Sequence, residues 1–513
     1  MQLRLLLDSV PQARLTGDPE MAIRGLAYDS RAVEDGFLFA AIRGMARDGH
    51  DFIPQAIEKG AVAILSSRPA TDGPADVAWV QVDDDRLGLA LAARNYYGRP
   101  DSRLTMLGIT GTNGKTTVAF LLESVLREAG LKPSLIGTVL YRNGREEHRA
   151  QRTTPESLDL YRLLDRFTTG GTRSCVMEVS SHSLVLRRVA GIEFRAGVFT
   201  NLTQDHLDFH KTMGAYLEAK SILFSGLGSD ALAILNTDDE HAATIRAATR
   251  ARVVTFGTAP GADVRVADVR AMTAGTEITL HLSRNLDPDA ADRPLEIRSP
   301  LLGRPNAMNI AAAAATGIGL GLPREAILRG LAGVTGVDGR FERVDDGGPF
   351  TVLVDYAHTD DALKHLLAAV REWQPRRIIT VFGCGGDRDR SKRPRMGYAA
   401  ASGSDVVVVT SDNPRGEDPL AIIDGILPGV REGQTGDPLG ALDERCCLTV
   451  PDRKDAIHQA LSLAEKDDCV VIAGKGHETY QILGDRTIPF DDREVARDML
   501  RALGRERSGR ATR

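Results

Sequence analysis

The stretch Leu107–Thr117, Leu-Gly-Ile-Thr-Gly-Thr-Asn-Gly-Lys-Thr-Thr, constrains this chain more than any other. The apolar run before it, 103–110, reads as a buried strand, and residues 116–130 after it carry apolar positions at helical spacing. A glycine-rich turn between a strand and a helix offers backbone N–H groups and a positive helix end to a phosphate. Gly111, Thr112, Asn113, Gly114, Lys115, Thr116 and Thr117 are therefore expected to bind a nucleotide, with Lys115 on the outer phosphate oxygens and the Thr116 hydroxyl on Mg²⁺. The usual G-x-x-x-x-G-K-[ST] pattern would place a glycine where Ile109 stands; here glycines occupy 108 and 111 instead.

Apolar β-branched runs alternate with Ala/Leu-rich helical stretches along the whole chain, which predicts an α/β protein of parallel sheets covered by helices. The length suggests about three domains. Turn-rich joints at 95–103 and 333–350 divide the chain into 1–98, 99–336 and 337–513. A net charge of −6 gives no electrostatic reason to expect nucleic acid or an anionic membrane as partner. The five cysteines, with no C-x-x-C pair, suit a reducing cytoplasm, and Cys384 reads as a buried thiol. No run suits a signal peptide or a membrane span, so a cytoplasmic protein is expected, and the basic tail after Leu503 reads as a frayed terminus.

Further polar residues cluster at strand ends. Glu178 closes the apolar run Ser-Cys-Val-Met-Glu and is placed to ligate Mg²⁺, with a structural glutamate as the alternative. The run Asn201–His210 packs Asn201, Asp205, His206, Asp208 and His210 together, which favours a metal or phosphate site over a solvated loop. In the helix that follows, Tyr216, Lys220, Leu223 and Phe224 share one face, so a lysine lies in the apolar stripe. It either snorkels to water or, with its pKa depressed by burial, adds CO₂ to become a carbamate that ligates a metal. Near the C-terminus three apolar strands run into Gly-Cys-Gly-Gly-Asp-Arg, Ser-Asp-Asn-Pro-Arg and Lys-Gly-His-Glu-Thr-Tyr. Each loop alone could be a solvated turn. Together they bring Arg388, Asp412, Arg415 and Glu478 to one sheet edge, both charge signs at once, as a zwitterionic amino acid requires.

At these residues the chain resembles the Mur ligase family, whose phosphate loop G-T-x-G-K-[ST]-T matches Gly111 to Thr117. The family's glutamate, histidine and carbamylated lysine fall on Glu178, His206 and Lys220. The resemblance covers nearly the whole chain and implies an ATP-dependent amide ligase acting as a cytoplasmic monomer in peptidoglycan precursor synthesis. Lys115, Lys220 and His206 would be catalytic, and Thr116, Glu178, His206 and Lys220 would hold Mg²⁺. Asn306, Asn309, Arg340, Asp355 and His358 would fall on ATP. Ser30, Thr153, Thr154, Ser180 and Arg188 would touch UDP-N-acetylmuramoyl-L-alanyl-D-glutamate. The Asp-Asn-Pro-Arg motif marks members specific for meso-diaminopimelate, with Arg388, Asp412, Asn413, Pro414, Arg415, Gly474 and Glu478 as its contacts. Two positions depart from the family pattern: Leu186 replaces a substrate-touching glutamine and Asp360 a proline. The rival readings are a folylpolyglutamate synthase and a non-catalytic P-loop binding protein.

Overall fold

In the computed structural model the strands around Thr105–Thr110 are buried along most of their length because helices cover both of their faces. The structure describes residues 1–511 apart from 45–46, 71–75, 273–274, 287–292, 345–346, 438, 440 and 444, with backbone only beyond residue 503. Among the described residues the strands form sheets of five, eleven and six, plus a two-stranded hairpin.

The first sheet runs in the order Arg14–Thr16, Ala78–Gln81, Ala61–Ser66, Phe37–Ala40, Gly25–Ala27, parallel except at the Arg14–Thr16 edge. Helix Asp85–Tyr96 follows it, started by Asp84, whose carboxylate accepts from the Arg86 and Leu87 amides.

The second sheet has a parallel centre: Arg252–Gly257, Leu232–Asn236, Phe194–Phe199, Thr105–Thr110, Ser174–Glu178 and Pro133–Ile136. Helix Lys115–Glu128 packs over it with Leu121, Leu122, Val125 and Leu126 fully buried. Each of these contributes roughly 2 kcal/mol of transfer free energy. Helix Arg324–Ala332 lies against it so closely that a Cβ at Gly330 would sit 2.5 Å from Val125 Cα.

Within this second sheet the expectation of parallel strands holds only for the centre. On one side Val264–Met272, Gly275–Leu282 and Leu295–Ser299 form an antiparallel wing, and on the other Leu140–Arg142 and Glu147–Arg149 do the same. The physical reason is one-sided cover: Leu295–Ser299 alternates buried and exposed residues, which a strand buried on both faces does not.

The third sheet runs Glu342–Arg343, Thr351–Asp355, Cys469–Ala473, Ile378–Phe382, Val406–Val409, Cys447–Thr449, and its inner strands are parallel. Asp355 pairs with Ala473 and Phe382 with Val409, so the loops after these strands leave from one edge. The hairpin Tyr480–Leu483/Arg486–Pro489 joins that edge through the Arg415–Leu483 bridge. The final helix, Asp492–Ala511, runs into the stretch expected to be frayed; only 512–513 of that tail lie outside the described residues. No helix among the described residues is long and apolar enough to cross a membrane.

Candidate active site

The turn after Thr105–Thr110 is shaped by glycine. A Cβ at Gly111 would meet Thr200 Oγ1 at 1.8 Å, and one at Gly114, at φ +85°, would meet Asn309 Oδ1 at 2.4 Å. Residues 200–203 brace the turn: Thr200 Oγ1 donates to Asn113 O (2.6 Å), the Asn113 amide donates to Asn201 Oδ1 (2.9 Å), and Thr112 Oγ1 donates to Thr203 O (3.1 Å). Lys115 Nζ folds back onto Gly111 O and Thr112 O, at 3.0 and 2.8 Å. Shielding from bulk water lowers its pKa against the pull of Glu178.

Thr116 and Glu178 are adjacent, the hydroxyl donating to Oε2 at 3.0 Å, with the glutamate fully buried. Thr138, which sequence reasoning did not single out, fixes that carboxylate with its amide on Oε1 (2.8 Å) and its hydroxyl on Oε2 (3.0 Å). Lys220, 1% exposed, donates to Gly111 O at 2.8 Å and sits 4.4 Å from the centre of the Tyr216 ring. Burial, with nearby Lys115 as the second cause, holds its pKa well below the ordinary lysine value. The snorkelling alternative is thereby corrected: the amine stays buried on Gly111 O instead of reaching the surface.

The cluster Asn201–His210 is brought together only in part. Asn201, Asp205 and His206 line the cavity described below, where Asp205 also turns toward His358 and Lys392 of the last sheet's elements (both 3.8 Å), whereas His210 is buried on Ser181 Oγ (2.9 Å) and Asp208 is exposed. Among the described residues no group of three or more His, Cys, Asp or Glu is gathered to hold a metal. The left-handed His206 (φ +54°) and the one-turn helix Leu207–His210 carry Asp208 and His210 away from Asp205 and His206. Although 43% of its side chain stays exposed, crowding by surrounding protein, reinforced by His182, lowers the His206 pKa to about 4 despite Asp205.

A cavity of about 640 Å³ opens beside the turn, between the second and third sheets. Lys115, His206, Lys220 and Asn309 line one wall, and Arg340, Asp355 and His358 the other. Asn306 donates to Leu302 O (2.8 Å) and accepts from Asn309 Nδ2 (3.0 Å), so the two amides are locked together. Arg340 reaches Thr116 Oγ1 at 3.3 Å and stacks 4.6 Å from the Tyr356 ring. Asp355 accepts from the Phe341 and Ala357 amides (2.6 and 2.7 Å), and shielding raises its pKa even beside Arg340. Arg395 on Gln204 (2.6 Å) and Asn113 on Asp361 (3.4 Å) tie the walls together. Asp360 occupies the first turn of helix Asp360–Arg371, where an acid suits the helix dipole as well as proline suits the turn.

Thr153 and Ser180 reach the cavity, while Thr154 and Arg188 lie behind them: Thr154 Oγ1 donates to Glu178 O (2.8 Å) and Arg188 to Thr154 O (3.2 Å). Ser30 stands apart on the first sheet, donating to Gln55 Oε1 (2.7 Å), and Leu186 closes the helix Ser181–Val185.

The residues expected to hold an amino acid form a separate cluster. Gly474 (φ +115°) donates to Asp355 O, and the Arg415 amide (φ +53°) to Ile482 O. Arg415 Nη1 donates to Gly386 O (2.9 Å) and Asn413 O (3.4 Å), and Arg388 to Asp387 O (3.5 Å). Among the described residues neither arginine makes an ion pair. A Cβ at Gly386 would meet Pro414 O at 1.9 Å, which fixes the two loops against each other. Cys384 is a buried thiol whose pKa burial pushes up to about 12. Sequence reasoning missed Lys475, buried between Asp412, Asn413 and Glu478, and Arg453, buried on Asp492. The first had a signal in its i, i+3 spacing from Glu478; the second had none.

Three family profiles match the chain: "Mur ligase family, catalytic domain" over 22–97, "Mur ligase middle domain" over 109–317 and "Mur ligase, glutamate ligase domain" over 339–476. The UDP-N-acetylmuramoyl-L-alanyl-D-glutamate--2,6-diaminopimelate ligase of Solibacter usitatus (strain Ellin6076) is 48% identical, over 98% of this chain and 99% of that protein. The enzyme of the same name from Geobacter metallireducens is 44% identical over 99% and 100%. A solved structure of a ligase with that name superposes with a TM-score of 0.67 at 30% identity, over 98% and 99% of the two chains. Identity of this extent, across all three sheets, shows that the chain belongs to the Mur ligase family.

Proposed function

We propose that this ligase joins meso-diaminopimelate to UDP-N-acetylmuramoyl-L-alanyl-D-glutamate at the expense of ATP, the reaction named for its relatives. Residues 1–98 would hold the nucleotide sugar, 99–336 ATP and 337–513 the amino acid. The observation that carries the amino-acid assignment is the pair Arg388 and Arg415. Two arginines without an ion pair stand beside two carboxylates, Asp412 and Glu478, that already share a lysine. Such a site suits a ligand end bearing both a carboxylate and an ammonium, which diaminopimelate has at its far end and lysine lacks.

The glycines at 111 and 114 leave room for phosphates against the helix N-terminus, and Lys115 can exchange its two carbonyl partners for phosphate oxygens. The side chains present suit Mg²⁺: a threonine hydroxyl and a buried carboxylate are the hard oxygen donors it takes. Thr116 and Glu178 would hold one ion, and His206 with a carbamate on Lys220 another. Bound there, Mg²⁺ would neutralise charge on the transferring phosphate. The substrate's γ-carboxylate attacks the γ-phosphorus, releasing ADP and leaving an acyl phosphate. The neutral amine then adds to the acyl carbon, its nitrogen gives up one proton to solvent, and phosphate departs with its bonding pair, completing the amide. Lys115 and Arg340 face the developing negative charge from opposite walls, which is where preformed cations lower such a barrier. Lys220, kept neutral by burial, can add CO₂ and release a proton, becoming an anionic oxygen ligand.

The test is ADP release measured with each substrate omitted in turn. Release that needs both the muramoyl dipeptide and diaminopimelate supports the reading. Release with a folate and glutamate would favour a folylpolyglutamate synthase, and no release with any acceptor would favour a binding protein.

A further inference from the structure

Lys475 is 0% exposed, yet it is surrounded by polar atoms. Its Nζ lies 2.9 Å from Glu478 Oε2, 3.2 Å from Asn413 Oδ1 and 3.5 Å from Asp412 Oδ1, with the Tyr480 ring centre at 5.6 Å. Asn413 completes the set by donating to Glu478 Oε2 at 2.9 Å while its own oxygen accepts the Ile482 amide at 3.0 Å. Asp412 Oδ1 is buried and accepts no hydrogen bond. The lysine is therefore close enough to offset its charge but leaves its acceptor capacity open.

We propose that Lys475 is a positioning and specificity-determining residue of the amino-acid site: it binds Asp412, Asn413 and Glu478 into one acceptor that takes a single ammonium group. This rests on the assignment of that cluster to the amino acid. Two carboxylates against one lysine leave one negative charge, which matches one ammonium. Without the lysine, two unpaired carboxylates would face each other across a buried space and move apart. The loops themselves have another anchor. Arg453, buried in a two-bonded pair with Asp492 (2.7 Å each), donates to Ser411 O (3.3 Å) and Ala473 O (3.0 Å). Removing Lys475 thus alters the charge set while this clamp on both strand ends stays.

Initial-rate kinetics of the full chain test the idea with Lys475→Met and Lys475→Arg. For Lys475→Met the KM for diaminopimelate should rise at least about 30-fold, as removing one partner of a buried charge group does. The KM values for ATP and the muramoyl dipeptide should stay within about twofold, as for distant sites. Lys475→Arg, which keeps the charge, should restore part of the loss. Dipeptide-dependent exchange of label between ADP and ATP, which needs no amino acid, should persist in both variants. An unchanged KM for diaminopimelate with exchange intact would overturn the proposal. So would loss of the exchange in Lys475→Met, because Lys475 would then be general architecture. If the unmutated chain prefers a different amino acid, the diaminopimelate reading fails, and the selective effect of Lys475→Met on that amino acid's KM still decides the role of Lys475.

Discussion

Lys220 and Lys475 are equally hidden, at 1% and 0% exposure, and are held in opposite ways. Lys220 has a carbonyl and the face of a tyrosine as partners, and among the described residues it makes no ion pair. Lys475 touches one carboxylate and lies near a second. Burial without an anion destabilises the ammonium and leaves a neutral nucleophile; burial among anions makes the same side chain their counter-ion. On the proposed reading the central domain would use a lysine for chemistry, and the last domain would use one for shape and charge.

Substitution should separate the two most sharply at Lys220. Lys220→Ala should lose activity by roughly a thousandfold, the scale of a group that stabilises transition-state charge. Short-chain carboxylic acids should restore part of it by standing in for the proposed carbamate, whereas the same acids should leave Lys475→Met unimproved. Rates measured with and without added acid check this; equal rescue of both variants would erase the distinction.

Arg415→Ala should come next. An unpaired buried charge costs about 2–5 kcal/mol, so kcat/KM for diaminopimelate should fall by roughly 30- to several-thousand-fold while ATP binding changes little. Asp412→Asn and Glu478→Gln should impair diaminopimelate and lysine alike, since on the proposed reading both residues would face the ammonium.

A smaller effect concerns the contacts between the two cavity walls. Arg395 on Gln204 and Lys392 near Asp205 join elements of the second and third sheets. X-ray scattering should show the chain compacting with an ATP analogue and the muramoyl dipeptide, and Arg395→Ala should weaken that compaction. Unchanged dimensions at saturating ligand would count against closure.

The smallest effect is one of pH. Burial, then His182 and Lys220, pushes the His210 pKa down to about 4, below its unfolded value near 6.5. As pH falls from about 6.5 the unfolded chain takes up the proton first, so stability is lost down to about pH 4 and levels off below it. His210→Gln should flatten denaturant midpoints across that window by at most one proton, about 1.4 kcal/mol per pH unit.

The phosphate turn, Glu178 and the buried face of Tyr216, Lys220, Leu223 and Phe224 were legible because each depends on local spacing: a glycine pattern, a strand end, a helical period. The antiparallel wings were not, since whether one face of a strand is covered depends on elements far away in the chain. The same holds for the parting of Asp208 and His210 from Asp205 and His206. Adjacency in sequence suggested one site; Asp205 and His206 reach the same cavity, while a left-handed residue followed by a single helical turn carries Asp208 and His210 away from it. Thr138 and Arg453 act through partners 40 and 39 residues away, Glu178 and Asp492, a separation that leaves no pattern in the chain.

The central claim is that the last domain reads a ligand end carrying both charges. Competition kinetics on the unmutated enzyme, with lysine and meso-diaminopimelate offered together alongside ATP and the muramoyl dipeptide, tests it most directly. A kcat/KM for diaminopimelate at least about 30-fold above that for lysine is the predicted result, since lysine would leave Arg388 and Arg415 without an anion. Comparable values for the two amino acids would contradict it.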